Sequence, residues 1–306
     1  MNPLENILVD VDATATAHPA LERAVQLAMR SGARLTVAHV ATVPPHATHY
    51  ARLEEVVGEL RQRLANIANA VRGAPAESKL LIGRPATVLI QEVLRAKHDL
   101  LIRSHARDLS AAGPKQFGVV DMELLRQCPC PVLLVRHGAP APQPRIVAAV
   151  NASTEDAHED ALNTKIVEAA LRMARYLEAR STRILHAWMP FAEKTMRGHS
   201  TDEQMAAYVE SARARADADL ARLERAFDGR LMGTPPVLRR GEPDVVIPDF
   251  VVAEGIDLVV MGTVARAGIA GMLLGNTAER ILRKLPCSVL TVKPDGFTSP
   301  VRLDAS

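Results

Sequence analysis

The amino-acid sequence predicts an α/β protein made of two tandem doubly wound, five-stranded parallel-sheet domains, each Rossmann-like. Three observations lead there. The chain is written twice, each copy alternates short apolar runs with longer segments of helical period, and glycine-containing turns follow the apolar runs. Alternation of this kind means parallel strands joined by right-handed helical crossovers.

The repeat comes first because it organises the rest. IGRPATVLIQEVLRAKHDLLIRS from Ile82 aligns with RGEPDVVIPDFVVAEGIDLVVMG from Arg240, and Gly83, Pro85 and Asp99 fall on Gly241, Pro243 and Asp257, each 158 residues later. LRQCPCPVLLVR from Leu125 matches LRKLPCSVLTVK from Leu282 at an offset of 157. Upstream, ILVDVD at Ile7 meets IVAAVN at Ile146, 139 residues on. The growing offset places longer connections in the second copy. The expected domains are residues 1–138 and 145–306. Pro140, Pro142 and Pro144 make the 139–144 joint a stiff, exposed linker.

In the second copy the elements read in order. IVAAV from Ile146 is continuously apolar, as a strand buried on both faces requires. From Glu159 to Ala179 the apolar residues Leu162, Ile166, Ala169, Ala170, Met173 and Leu177 recur at helical spacing. TRILHAW is a second strand, and EQMAAYVESARARADADLARLERAF a long charged helix with a stripe through Met205, Val209, Ala216, Leu220 and Leu223. PPVLRRG is a strand, PDVVIPDFVVAEG a helix, DLVVMG a strand, TAERILRKLP a helix and SVLTVK the last strand. The first copy repeats the scheme, with strands at ILVDVD, VAHV, LLIRS and VLLVR.

Composition excludes several classes. With 37 Lys and Arg against 35 Asp and Glu, the chain lacks the basic excess of a nucleic-acid or membrane-surface binder. MNPLENILVDVD has no basic region followed by an apolar core, so no signal peptide is expected. No window approaches 18 uninterrupted apolar residues, so no membrane span is expected. Three cysteines are too few for a disulfide framework, and a reducing cytoplasm is the simplest expectation.

Doubly wound sheets bind ligands beyond the carboxyl ends of their strands, at the switch in strand order. In the second copy this directs attention to Val150 and Asn151, to His186, Ala187 and Trp188, and to the stretch MGTVARAGIAGMLLGNTAERIL from Met261. The strand context, the double repeat and this loop together resemble the universal stress protein family, over nearly the whole of both halves. The family's loop runs Gly, two residues, Gly, nine residues, Gly, then Ser or Thr. Gly262 fits the first position, Ala265 replaces the second glycine, and Gly275 falls on the third with Asn276 after it. The Asp that ends the family's first strand is matched by Asp12 in the first half and replaced by Asn151 in the second. GNTAE from Gly275 and KPD from Lys293 are similar to the tandem E-type branch.

The resemblance implies an adenine nucleotide alpha hydrolase-like fold. It also implies a nucleotide site in the second half, with ATP or AMP lying against Val150, Asn151, Ala187, Met261, Gly262, Ala265, Gly275, Asn276 and Thr277. Backbone chemistry gives this a physical basis, since glycines before a helix let phosphate oxygens reach unpaired N–H groups. The competing reading makes Asn276 an N-cap, with Glu279 completing something close to a capping box. Ala265 and Asn151 would each weaken binding, by roughly 1–2 and about 1 kcal/mol respectively. In the first half only Asp12 and Gly118 survive as weak candidates. Val119 and Val120 remove the polar donors there, and the charge of Asp121 would repel a phosphate.

Other constellations read as structural. His46 and His49 lack converging ligands for zinc, so no metal is expected beyond a nucleotide-associated magnesium. Cys130 and Cys287 read as buried thiols at the last strands, and His39 and His186 as hydrogen-bonded structural residues at equivalent strand ends. Trp188 and Met189 could wall the cavity or simply pack. No nucleophile–base pair appears, so no catalytic residue is assigned. The expectation is a cytoplasmic stress-response binding module, with slow ATP hydrolysis or a nucleotide-free interaction protein as alternatives. An adenylating enzyme would need an SGGxDS-type loop, where VDATATA and VNASTED stand instead. The family likeness also implies an intramolecular pseudo-dimer joined through VLLVR and VLTVK, able to dimerise further.

Overall fold

The computed structural model describes residues 3–42, 50–105, 117–136, 138, 140–153, 156–227, 230–231, 234–263 and 274–303, without the side chains of 50–52 and 194. Ala265, His46 and His49 lie outside the described residues. The first half runs β1 (Asn6–Asp10), α1 (Pro19–Ser31), β2 (Arg34–Ala41), α2 (Tyr50–Ala70), β3 (Ala76–Ile82), α3 (Pro85–Ala96), β4 (Leu100–His105), α4 (Val119–Gln127) and β5 (Val132–Arg136). The second runs β6 (Arg145–Val150), α5 (Ala157–Leu177), β7 (Ser181–Trp188), α6 (Glu193–Arg197), α7 (Asp202–Arg225), β8 (Val237–Arg240), α8 (Pro243–Glu254), β9 (Leu258–Gly262), α9 (Asn276–Leu282) and β10 (Ser288–Val292).

The two five-stranded units form one ten-stranded sheet in the order β3-β2-β1-β4-β5-β10-β9-β6-β7-β8. Within each half every pairing is parallel. At the seam β5 and β10 run antiparallel, with Leu134 opposite Val289 and Val132 opposite Thr291. This is the strand pair expected from VLLVR and VLTVK. Alternate residues of each central strand enter two separate cores. Ile7, Val9, Ile146 and Ala148 face the helices α1, α2, α5 and α7, while Leu8, Val147 and Val259 face α3, α4, α8 and α9. The continuous apolarity of these strands therefore reflects burial on both faces.

The repeated residues have repeated jobs. Asp99 accepts from the backbone N–H groups of Glu5 and Asn6 at 2.7 and 3.1 Å, and Asp257 accepts from that of Arg145 at 2.8 Å. Each aspartate thus anchors the start of its half's first strand. Gly83 and Gly241 both hold φ near +140°, a conformation L side chains rarely adopt, directly before α3 and α8. A Cβ there would come within 2.7 Å of Val88 and 2.8 Å of Val246. Pro85 and Pro243 then open their helices, where a missing N–H costs nothing.

Three elements depart from the sequence reading. The short helix α6 follows β7 in a stretch that showed no helical period. The last helix ends at Leu282, with Arg283 as its C-cap, short of the Pro286 that closes the sequence reading. Finally, α5 begins at Ala157, capped by Asp156, whose carboxylate accepts from His158 N–H. It reaches 21 residues against 13 in α1. Cys128, Cys130 and Cys287 are buried free thiols, and burial raises the Cys287 pKa to about 12. No described helix is long and apolar enough to cross a membrane.

Candidate functional site

Beyond the carboxyl ends of β6 and β9 the second half encloses an open cavity of about 310 Å³. Its floor is Ala149, Val150 and Met261, all nearly buried. Ala187 closes one side, Gly262, Gly275 and Thr277 another, and Asn151 stands at the mouth. Seven of the residues expected from sequence thus surround one space. Asn276 does not line it. It is the first residue of α9, and Gly275 holds the N-cap position without a side-chain bond. The Asn276 cap and its capping box are therefore not formed. Glu279 instead pairs with Arg283 at 2.6 Å and with Arg126 of the first half at 2.9 Å.

Gly262 also has a different reason than the one inferred from sequence. A Cβ on it would lie 2.8 Å from Leu162 Cδ2, so its bareness lets α5 pack closely on β9. Sequence reasoning missed the contribution of α5 to the walls. Glu159, Leu162, Asn163 and Ile166 all face the cavity, as do Pro243 and Ile247 of α8. The length of the apolar periodicity from Leu162 was the available signal.

Two histidines tie strand ends to the loops beside them, in both halves. His186 Nδ1 lies 3.2 Å from Val150 O and 3.4 Å from Ala152 N, and Nε2 lies 3.1 Å from Ser153 Oγ. His39 Nδ1 lies 2.9 Å from Val11 O and 3.3 Å from Ala13 N. Burial lowers the pKa of His186, so it is held neutral as a hydrogen-bonding strut. This matches the structural role expected from its position.

Behind the cavity sits a buried lysine. Lys293, at the end of β10, donates to Thr263 Oγ1 at 2.7 Å, to Arg126 O at 3.2 Å and to Leu125 O. The last two carbonyls belong to the final turn of α4, so a second-half cation caps a first-half helix. Thr263 O in turn accepts from Gly275 N–H at 2.9 Å. The cavity wall is thereby tied to the neighbouring half.

The first half has a cavity of about 430 Å³ at the equivalent place, bordered by Asp12, His18, His39, Arg103 and Ser104. Its chemistry is different. Asp10 and Arg103 occupy paired positions on β1 and β4, as Ala149 and Met261 do on β6 and β9. Arg103 forms ion pairs with Asp10 and, at 2.9 Å, with Asp121. Asp121 also accepts from Gly118 N–H at 2.9 Å. Asp121, expected to repel a phosphate, shares its cation Arg103 with Asp10. Asp10 and Arg103, backed by Asp121, thus make a charged floor where the second half has Ala149 and Met261, with Ala278 in the place of Asp121. Among the described residues no cluster of His, Cys, Asp or Glu could hold a metal ion.

A sheet wound in two five-stranded halves, each with a cavity at its switch point, defines a class of tandem α/β proteins. The model of the universal stress protein family matches residues 3–136 and 145–293, and the chain belongs to that family. It is 30% identical to universal stress protein E of Salmonella typhi, across 98% of this chain and 98% of that one. It is equally similar to universal stress protein E of Escherichia coli strain K12, across 98% and 97%. Among solved structures, a functionally unknown protein of Pseudomonas aeruginosa PAO1 superposes with a TM-score of 0.69 at 26% identity, covering 95% of this chain and 93% of that one. A universal stress protein of Archaeoglobus fulgidus shares the fold at a TM-score of 0.64 and 16% identity, over 94% and 98% of the two chains.

Proposed function

We propose that the chain is a cytoplasmic stress-response module whose second half binds an adenine nucleotide, ATP or AMP, as a sensor or regulatory input. The observation that supports this is the cavity bounded by Val150, Asn151, Ala187, Met261, Gly262, Gly275 and Thr277. Its apolar floor suits a purine face, its mouth carries hydrogen-bonding groups, and its volume lies at the low end of the ~300–1,000 Å³ usual for ligand sites. Ala265 is added to these by the family's loop pattern alone, and Asn276, the first residue of α9, stands next to the lining residues Gly275 and Thr277. On the same reading residues 1–138 and 145–306 are the two domains, joined by 139–144. The first half, with its charged floor, is an interaction or structural partner and not a second nucleotide site.

The test is calorimetric titration of the whole chain with ATP and with AMP, with and without magnesium. Saturable heat with one site per chain, lost in Gly275→Trp, is the expected result. Absence of heat at millimolar nucleotide would refute the reading. Steady turnover well above once per minute would replace it with a hydrolase.

A further inference from the structure

We infer that Glu159 is the specificity-determining residue of the second-half cavity, its carboxylate reading the vicinal hydroxyls of a ribose. The inference rests on the nucleotide reading above and assigns the sugar recognition to a residue outside the family's loop pattern.

The argument starts from the helix. Gly32 closes α1 two residues before β2, and Glu178 closes α5 three residues before β7, so the two helices end at closely equivalent places. The eight additional residues of α5 therefore extend its N-terminus by two turns, about 12 Å. This extension brings Glu159, Leu162 and Asn163 into the wall of the cavity. The first half, whose α1 starts at Pro19, has nothing equivalent.

The extension holds Asn151 from two directions. Buried Asn163 accepts from Asn151 N–H at 3.0 Å and donates to Asn151 O at 2.7 Å, which fixes the backbone at the strand end. The side-chain amide of Asn151 then donates to Glu159 Oε1 at 3.3 Å. An amide and a carboxylate so placed offer what a diol needs, which is a charged acceptor for its hydroxyl protons and a neighbouring donor for an oxygen. The first half keeps its carboxylate on the strand end, at Asp12. The second half has an amide there and brings the carboxylate from the helix.

The same charge sets the ligand's direction. A phosphate beside Glu159 would be repelled, whereas among the described residues the cavity side formed by Gly275 and Thr277 carries no acidic lining residue. The sugar therefore lies at the Asn151 mouth, with any phosphate directed toward Gly275.

Adenosine and 2′,3′-dideoxyadenosine are the probes, titrated against the full chain and against Glu159→Gln and Glu159→Asp. The wild-type chain is expected to prefer adenosine by roughly tenfold or more, the range for a hydrogen bond to a charged acceptor. In Glu159→Gln that preference should fall to about threefold or less, with Glu159→Asp in between. Because Glu159 lies at the surface end of α5, thermal unfolding of both variants reports whether the fold is kept. Equal wild-type affinity for the two probes would overturn the inference while leaving the nucleotide reading in place. So would an unchanged preference in Glu159→Gln. A chain that binds neither adenosine nor ATP would overturn both.

Discussion

Lys293 allows a prediction whose sign is not obvious from its contacts. The side chain is only 6% exposed and packs 4.8 Å from the Phe297 ring centroid. Burial lowers its pKa from 10.5 to about 8. At ~1.4 kcal/mol per pKa unit, that fall means the folded state disfavours the ammonium by about 3 kcal/mol relative to the unfolded chain. Below pH 8 the lysine is charged in both states and the whole cost is present. Between pH 8 and 10.5 the unfolded chain keeps a proton that the folded one has released, so stability rises with pH. Above 10.5 the cost is gone. Urea unfolding of the wild-type chain and of Lys293→Met, each at pH 7 and pH 10, isolates this group from the other titrations. Moving from pH 7 to pH 10 should shift the difference by about 2 kcal/mol in favour of the wild type. A difference that stays constant, or moves the other way, would refute the reasoning. It would show that Thr263, Leu125 and Arg126 as acceptors outweigh the desolvation.

Four further outcomes are expected. Gly241→Ala should destabilise the chain by about 1–3 kcal/mol in denaturant unfolding, because φ near +140° and Val246 both oppose a Cβ. Gly58→Ala, in the interior of α2 with open space around it, should stabilise by roughly 0.5–1 kcal/mol in the same assay. Arg103→Met strands two buried carboxylates and should cost about 2–3 kcal/mol, below the value for a fully buried pair because Arg103 is 28% exposed. The triple change Asp10→Ala, Arg103→Met, Asp121→Ala, which copies the second half, should recover most of that loss. For His186, burial puts the folded pKa below 6.5, so the unfolded chain takes up its proton first on acidification. Stability should therefore fall as pH drops below 6.5, and His186→Gln should flatten that fall in thermal scans from pH 7.5 to 5.

The fold was legible because its determinants are local and repeated. Gly83 and Gly241 mark one strained turn in two places, and Asp99 and Asp257 one strand anchor, so alignment of the chain with itself revealed both halves. The strand seam was legible from VLLVR and VLTVK. The cavity was readable where strands end, since Val150, Ala187 and Met261 are set by sheet register, and at Gly275 and Thr277, which the loop pattern marked. What the helices add was hidden. The helix is legible from Glu159 onward, but its apolar stripe does not tell that Glu159 and Asn163, which lie off that stripe, meet Asn151 at the strand end. The Arg103 ion pairs were hidden for another reason. They join Asp10, Arg103 and Asp121 across three elements, and no local spacing signals such a meeting.

The antiparallel seam between β5 and β10 has a consequence for how the halves can change. Strand pairing between separate chains weakens on dilution, and any substitution in one copy appears in the other. Here the partners are tethered through residues 137–144, so their encounter is set by an effective concentration that dilution does not alter. Substitutions on one side need no mirror image on the other. An alanine–methionine floor and an aspartate–arginine floor can therefore coexist in a single molecule, at a stoichiometry of one to one.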